Sequence, residues 1–206
     1  MNNKVDHIVE KVSAMYLEYG IRGVTMDDVA HKLAISKKTL YEHFKDKKDL
    51  VRATIEYGRN QWETVLSSIS CENCTAIDEL LRFYELQLKM IKDNKPAFIY
   101  DLKKYYPEIF NHFHSLKQKM ILDVFIKNMI KGKKEGLYRE DINEEIIAKL
   151  NLMRFESIMS SDHFSMDDFL SQDLITEIFK YHLYGIVSDE GRELVNNKFN
   201  NTQKNS

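Results

Sequence analysis

Apolar residues recur along this chain at helical spacing, and the strict alternation that marks strands is hard to find. Over 4–19, Val5, Ile8, Val9, Val12, Met15, Tyr16 and Tyr19 fall on one side of a helix, with Gly20 as its stop. Thr25 stands as the cap of a second helix. Its hydroxyl can accept an orphan N–H of the first turn, and Asp27 and Asp28 suit the positive helix start. Met26, Val29, Ala30 and Leu33 form the inner face. Ala34-Ile35-Ser36 reads as a tight turn, and Ser36 caps a third helix over 37–43 that Leu40 and Phe44 anchor. A longer helix runs from Lys47 to about Ser70 and is interrupted at Cys71–Cys74. The pattern resumes over 75–93, and Pro96 opens a short segment to Tyr106. Pro107 suits the first turn of a long helix to about residue 131. After a polar loop over 132–141, helices are expected at 143–160 and 167–187. With about nine helices the expected fold class is all-α. A three-helix N-terminal bundle (1–48) joins a larger helical bundle (49–195), and the Asn- and Lys-rich tail (196–206) is expected to be disordered.

Composition changes this picture only locally. The 206 residues are 43% hydrophobic, with 2 Pro and 7 Gly, so the chain can bury a core and has few helix breakers. Net charge is −2, yet residues 36–48 carry five lysines (37, 38, 45, 47, 48) against Glu42 and Asp46. A basic patch on a near-neutral chain suits a nucleic-acid reader that works as a dimer, where two patches add. The N-terminus has no apolar run of signal-peptide length, and no stretch approaches 18 apolar residues, so no membrane span and a cytoplasmic location are expected. Two cysteines make no disulfide framework, and a pair of free thiols in a reduced compartment is the simplest reading. Cys71-Glu72-Asn73-Cys74 has the spacing of half a zinc site, but no second pair completes it. His112 and His114 point to different helix faces. No acid/base pair and no Gly-rich phosphate loop stand out, so neither an enzyme nor a cofactor or metal is expected.

Residues 20–50 carry the chemistry. Two short helices meet at a tight turn, and the second opens with Ser36, Lys37, Lys38 and Thr39. In a helix-turn-helix those positions meet base edges and phosphates. Lys can donate to guanine O6 and N7, and Thr can take either role. Tyr41 and His43 lie further along, within reach of phosphates. Thr25 and Lys47 stand at helix starts, where backbone N–H groups attract phosphate. The run Val24-Thr25-x-x-x-Val29-Ala30-x-x-Leu33-Ala34-Ile35-Ser36-x-x-Thr39-Leu40-Tyr41-x-His43-Phe44-x-x-Lys47-x-x-Leu50 resembles the DNA-binding domain of TetR/AcrR-type transcriptional regulators over roughly 8–52. The resemblance implies an all-helical homodimer that controls genes under a small ligand. It also implies DNA contacts from Thr25, Ser36, Lys37, Lys38, Thr39, Tyr41, His43 and Lys47. One departure is Ala34, where the family usually has Gly; a left-handed backbone there would cost Ala about 1 kcal/mol.

Beyond residue 75 aromatics are dense, and Met90, Met120, Met129, Met153 and Met159 add adaptable volume. Ligand sites are typically apolar pockets with a few polar groups, and the resemblance implies one. Candidate lining residues are Tyr84, Leu88, Phe98, Phe110, Phe113, His114, Phe125, Asn151, Arg154 and Phe155, although aromatics at this spacing commonly serve as core alone. Similar proteins pair their last two helices across a two-fold axis into a four-helix bundle. Here that face would carry Leu150, Met153, Leu174, Ile178, Tyr181, His182 and Gly185. The expected function is a dimeric DNA-binding transcriptional regulator, a repressor on a palindromic double-stranded operator, released by a small, largely apolar effector. The alternative is a DNA-bound interaction protein with no small-molecule ligand.

Overall fold

The structure is a computed structural model that describes residues 3–92, 95–159, 163, 168 and 172–203. Its described residues form ten α-helices and no strand; an isolated bridge joins Tyr138 and Val187. The helices are α1 (Asn3–Gly23), α2 (Met26–Lys32), α3 (Lys37–His43), α4 (Lys47–Ser67), α5 (Ala76–Lys92), α6 (Pro96–Tyr105), α7 (Pro107–Lys134), α8 (Glu144–Met159), α9 (Gln172–Ile186) and α10 (Asp189–Gln203). Residues 167 and 169–171, the expected start of α9, lie outside the described residues. Among the described residues no helix is long and apolar enough to cross a membrane. The chain divides into two compact units, Met1–Val65 with Asn94–Lys117, and Leu66–Asp93 with Gln118–Ser206. Helices α4 and α7 contribute residues to both.

The first unit is built on the expected apolar faces. Ile8, Val12 and Tyr16 of α1, Val29 of α2, Leu40 of α3, and Leu50 and Val51 of α4 share one buried cluster. Leu102 of α6 and Ile109 of α7 complete it. Gly20 breaks the helical run of α1, as expected: its backbone is non-helical (φ 75°, ψ 160°), and a short second helical stretch follows to Gly23. A Cβ at Gly20 would meet a positive φ and would stand 2.9 Å from Asp101 Oδ2 of α6. That carboxylate accepts the Arg22 backbone N–H at 2.8 Å, and Arg22 Nη1 donates to Tyr105 Oη at 3.0 Å.

The second unit holds a buried polar network with every member paired. Glu79 accepts from Ser70 Oγ (2.9 Å), Asn128 Nδ2 (3.2 Å) and Lys131 Nζ (2.6 Å), and Tyr138 Oη donates to Asn128 Oδ1 (2.9 Å). Paired in this way, buried polar groups avoid the 1–3 kcal/mol or so that each orphan would cost. Gly132 is required beneath the Tyr138 ring, where a Cβ would collide.

Two expectations are corrected here. The tail from 196 is not disordered as far as Gln203. It continues α10, because Val195 is buried, Tyr184 Oη donates to Asn196 Oδ1 (2.7 Å) and Lys198 pairs with Asp78 (2.6 Å). Residues 204–206 lie outside the described residues. Cys71 and Cys74 are a disulfide rather than two free thiols. The turn after α4, closed by the Cys74 N–H on the Cys71 carbonyl (3.2 Å), brings their Cα atoms to 5.3 Å.

Candidate nucleic-acid interface

Local sequence fixes α2 and α3. Thr25 and Asp28 form a reciprocal capping box: Asp28 N–H donates to Thr25 Oγ1 (3.1 Å) and Thr25 N–H donates to Asp28 Oδ2 (2.7 Å). The Thr25 hydroxyl and backbone N–H hold the Asp28 carboxyl below the usual aspartate range. Ser36 Oγ accepts the Thr39 N–H at 3.0 Å and sets where α3 begins. The turn between them closes through Ala34 N–H on His31 O (3.1 Å) and Ile35 N–H on Ala30 O (3.0 Å). Ala34 does adopt the left-handed region, with φ 52°, so this chain carries the small strain that a glycine would relieve.

Packing then decides which side of α3 meets solvent. Leu40 is fully buried and Phe44 closes the C-terminal end, so Lys37, Lys38 and Tyr41 point outward. Lys37 Nζ pairs with Asp27 of α2 at 2.6 Å, with both side chains about 60% exposed. Thr39 is half-buried and shares a hydrogen bond with Ser36 Oγ (2.8 Å). His43 is half-buried and edge-on to Phe44. Lys47 opens α4; partial burial lowers its pKa, against the pull of the Asp101 and Asp28 charges. The first unit thus brings all eight expected DNA-contact positions into the two-helix unit and its exit. The hydroxyls of Thr25 and Ser36 are already engaged as caps. Sequence reasoning counted Lys48 in the basic patch but missed its ion pair with Glu108 of α7 (2.8 Å), which spans 60 positions that no local signal links.

The other candidates divide between the units. Phe98, Phe110 and Phe113 pack against the first unit's core, and His114 stacks on Phe110 with ring centroids 5.4 Å apart. Tyr84, Leu88, Phe125, Asn151 and Arg154 belong to the second unit. There Tyr84 stacks on Phe179 at 4.4 Å and shares a hydrogen bond with Thr176 Oγ1 at 2.7 Å. Phe155 lies outside the residues whose side chains are described. Of the face expected on the last helices, Leu150, Met153, Tyr181 and Gly185 are exposed and Leu174 and Ile178 half-buried, whereas His182 is buried.

A capped pair of short helices that presents lysines from a buried framework is a helix-turn-helix, and it defines a DNA-binding protein. Residues 8–54 match the profile of "Bacterial regulatory proteins, tetR family". The HTH-type transcriptional regulator SAB2452 of Staphylococcus aureus (strain bovine RF122 / ET3-1) is 27% identical over 134 residues, covering 60% of this chain and 70% of that protein. The biofilm operon icaADBC HTH-type negative transcriptional regulator IcaR of Staphylococcus aureus (strain Newman) is 27% identical over 78 residues, 38% of this chain and 42% of its own length. The chain therefore spans less than half of IcaR. A transcriptional regulator from Cytophaga hutchinsonii ATCC 33406 shares the fold, with a TM-score of 0.74, 18% identity, and coverage of 91% of this chain and 100% of that one. Residues 8–54 are thus similar to the DNA-binding domain of the tetR family of bacterial regulatory proteins. The chain is a DNA-binding transcriptional regulator and not an enzyme.

Proposed function

We propose that this protein is a cytoplasmic, dimeric repressor that binds a palindromic operator and leaves it when a small, largely apolar effector enters the second unit. The observation that carries the DNA reading is the solvent-facing Lys38 and Tyr41 on a helix whose other side is locked by Leu40. Lys37 joins them by leaving Asp27, a small loss for an exposed ion pair. Lys47 anchors a phosphate at the start of α4, and Thr25 does so at the start of α2 by turning its hydroxyl away from Asp28. The sign of regulation follows IcaR, a negative regulator by its name. The functional division is taken at residue 48, with 49–195 serving ligand and partner.

The dimer reading rests on a face that one protomer leaves in water. Ile146, Leu150 and Met153 of α8 are each roughly half exposed and Tyr181 of α9 is 80% exposed. The groove between these helices has a volume of about 900 Å³. A second copy of the chain would cover this face by two-fold symmetry. The two recognition helices would then address major grooves about 34–36 Å apart. The effector acts by preferring a form whose recognition helices do not fit that spacing.

Selection of bound sites from random duplexes tests the whole reading. A palindromic site with two half-sites about one helical turn apart is expected. No enriched sequence, or a single half-site bound by a monomer, would contradict it. A second reading draws on the small cavities beside Phe83 and Phe125 in the second unit, about 130 and 20 Å³. They fall below the roughly 300–1,000 Å³ of most ligand pockets, which favours an interaction protein with no ligand. That reading predicts no thermal shift with any small apolar compound.

A further inference from the structure

Arg154 of α8 and His182 of α9 line the same small cavity, together with Leu80, Phe83, Phe125 and Phe179. Arg154 Nε and His182 Nε2 are both buried and lack a hydrogen-bond partner. His182 is only 8% exposed. Arg154 Nη2 donates to Asn151 Oδ1, and among the described residues no carboxylate pairs with the guanidinium. The contrast lies in the same unit, where Glu79, Asn128, Lys131 and Tyr138 satisfy one another. A half-buried cation without an acid is destabilising, and such features persist where a ligand uses them. Burial, and then the Arg154 charge, push the His182 pKa down to about 3. The imidazole is therefore neutral at pH 7 and can present Nε2–H in one of its tautomers.

We infer that Arg154 and His182 form a head-group subsite, and that its ligand is a compact aromatic carboxylate, with the anion on these two donors and the ring against Phe83, Phe125 and Phe179. Charge selects an anion at Arg154, and the neutral imidazole adds a directional donor without a second charge to balance. The walls select the ring. Phe83 and Phe125 meet edge-on with centroids 4.7 Å apart, and both also wall a second void of about 130 Å³. That void also carries Ser70, Glu79, Asn128 and Lys131, so a ring-sized body entering as this aromatic pair parts lies on the side that Leu80, Phe83 and Phe125 form. On its inward side, towards Phe83, Phe125 and Phe179, Arg154 has room for little more than a water, with a cavity of about 20 Å³, while Arg154 and His182 also line the groove of about 900 Å³ between α8 and α9. The ligand therefore binds a widened form better than the closed one, which is the condition for shifting a population.

The role as effector rests on the release mechanism proposed above; the binding itself does not. Calorimetric titration of the full-length, DNA-free protein at pH 7 compares benzoate with its neutral isostere benzamide. Benzoate should bind at least about tenfold more tightly. Arg154→Gln should bring the two within about threefold and, by removing an unbalanced charge, raise the ligand-free melting temperature by about 2–4 °C. Equal affinity for the two compounds, or no heat from either up to about 10 mM, overturns the subsite. So does an Arg154→Gln protein that melts lower and keeps its benzoate affinity. A variant that changes the dimer mass while benzoate binding persists assigns the charge to the partner subunit instead, and also overturns it. Benzoate that binds yet leaves operator affinity unchanged keeps the subsite and overturns its part in release.

Discussion

In the first unit, α3 keeps Leu40 inside and sets Lys37, Lys38 and Tyr41 in solvent. In the second, α8 leaves Ile146, Leu150 and Met153 in water, and α9 carries His182 into the interior beside Arg154. The first arrangement follows the ordinary rule for a soluble helix and is complete within one chain. The second breaks that rule twice. Exposed apolar residues and unpaired buried donors both raise the free energy of the isolated protomer, so they mark where other molecules are expected to bind. A surface that meets DNA can be polar and still stable alone. A surface that meets a second copy or a ligand is stable only when covered or filled.

The largest expected effect lies in the first unit. Leu40→Ala removes a fully buried anchor and should cost about 2–5 kcal/mol. The melt should fall steeply, with operator binding lost along with the folded two-helix unit. An unchanged melting temperature would mean that α3 is not held by this core.

Acid should separate the two units next. His182 is held at about 3 in the folded chain, well below its ordinary 6.5, so the unfolded chain binds the proton first. Its contribution is full above pH 6.5 and falls, by up to about 1.4 kcal/mol per pH unit, as the pH drops from 6.5 towards 3. Asp28 behaves differently. Its depressed carboxyl keeps its full stabilising effect above the unfolded value of 3.8 and loses it only below. Amide exchange followed from pH 7 to 5 should therefore accelerate in α9 peptides and not in α2 and α3, once corrected for intrinsic rates. His182→Gln should flatten the α9 response. Equal acceleration in both units would contradict the contrast.

The smallest effect is at the turn. Ala34→Gly relieves a positive φ but loosens the unfolded chain, leaving a net gain of about 1 kcal/mol or less. A rise in melting temperature of about 2 °C is expected. A fall would show that Ala34 is unstrained.

The sequence exposed the first unit well because its signals are local. Thr25 with Asp28, and Ser36 with Thr39, are caps within three residues, and the resemblance, whose family usually has Gly where Ala34 stands, pointed to the left-handed turn. Periodicity says which face of a helix is buried, but not against what. Leu102 joins the α1–α3 core from about sixty positions beyond Leu40, and Phe98, Phe110 and Phe113 follow it, although their composition matched that of a ligand pocket. Gly20 was legible as a stop from its residue type, and the helical run does break there at a positive φ that glycine adopts freely, but the short helical stretch after it carried no signal. Polar Asn and Lys residues hid α10, whose register depends on Val195 and on distant partners, Tyr184 and Asp78. His182 sat on an apolar stripe with Leu174, Ile178 and Tyr181, and its burial depends on α8.

The central claim is that α3 reads bases while the start of α4 holds phosphate. Titration of a selected operator and of a scrambled duplex, across a salt series, with wild type, Lys38→Ala and Lys47→Ala tests it most directly. Lys47→Ala should weaken both duplexes alike and lower the salt slope by about one, while Lys38→Ala should cost about 1–3 kcal/mol on the operator and narrow its margin over the scrambled duplex. Wild-type affinity in both variants, or equal binding of both duplexes by the wild type at every salt concentration, would contradict the account.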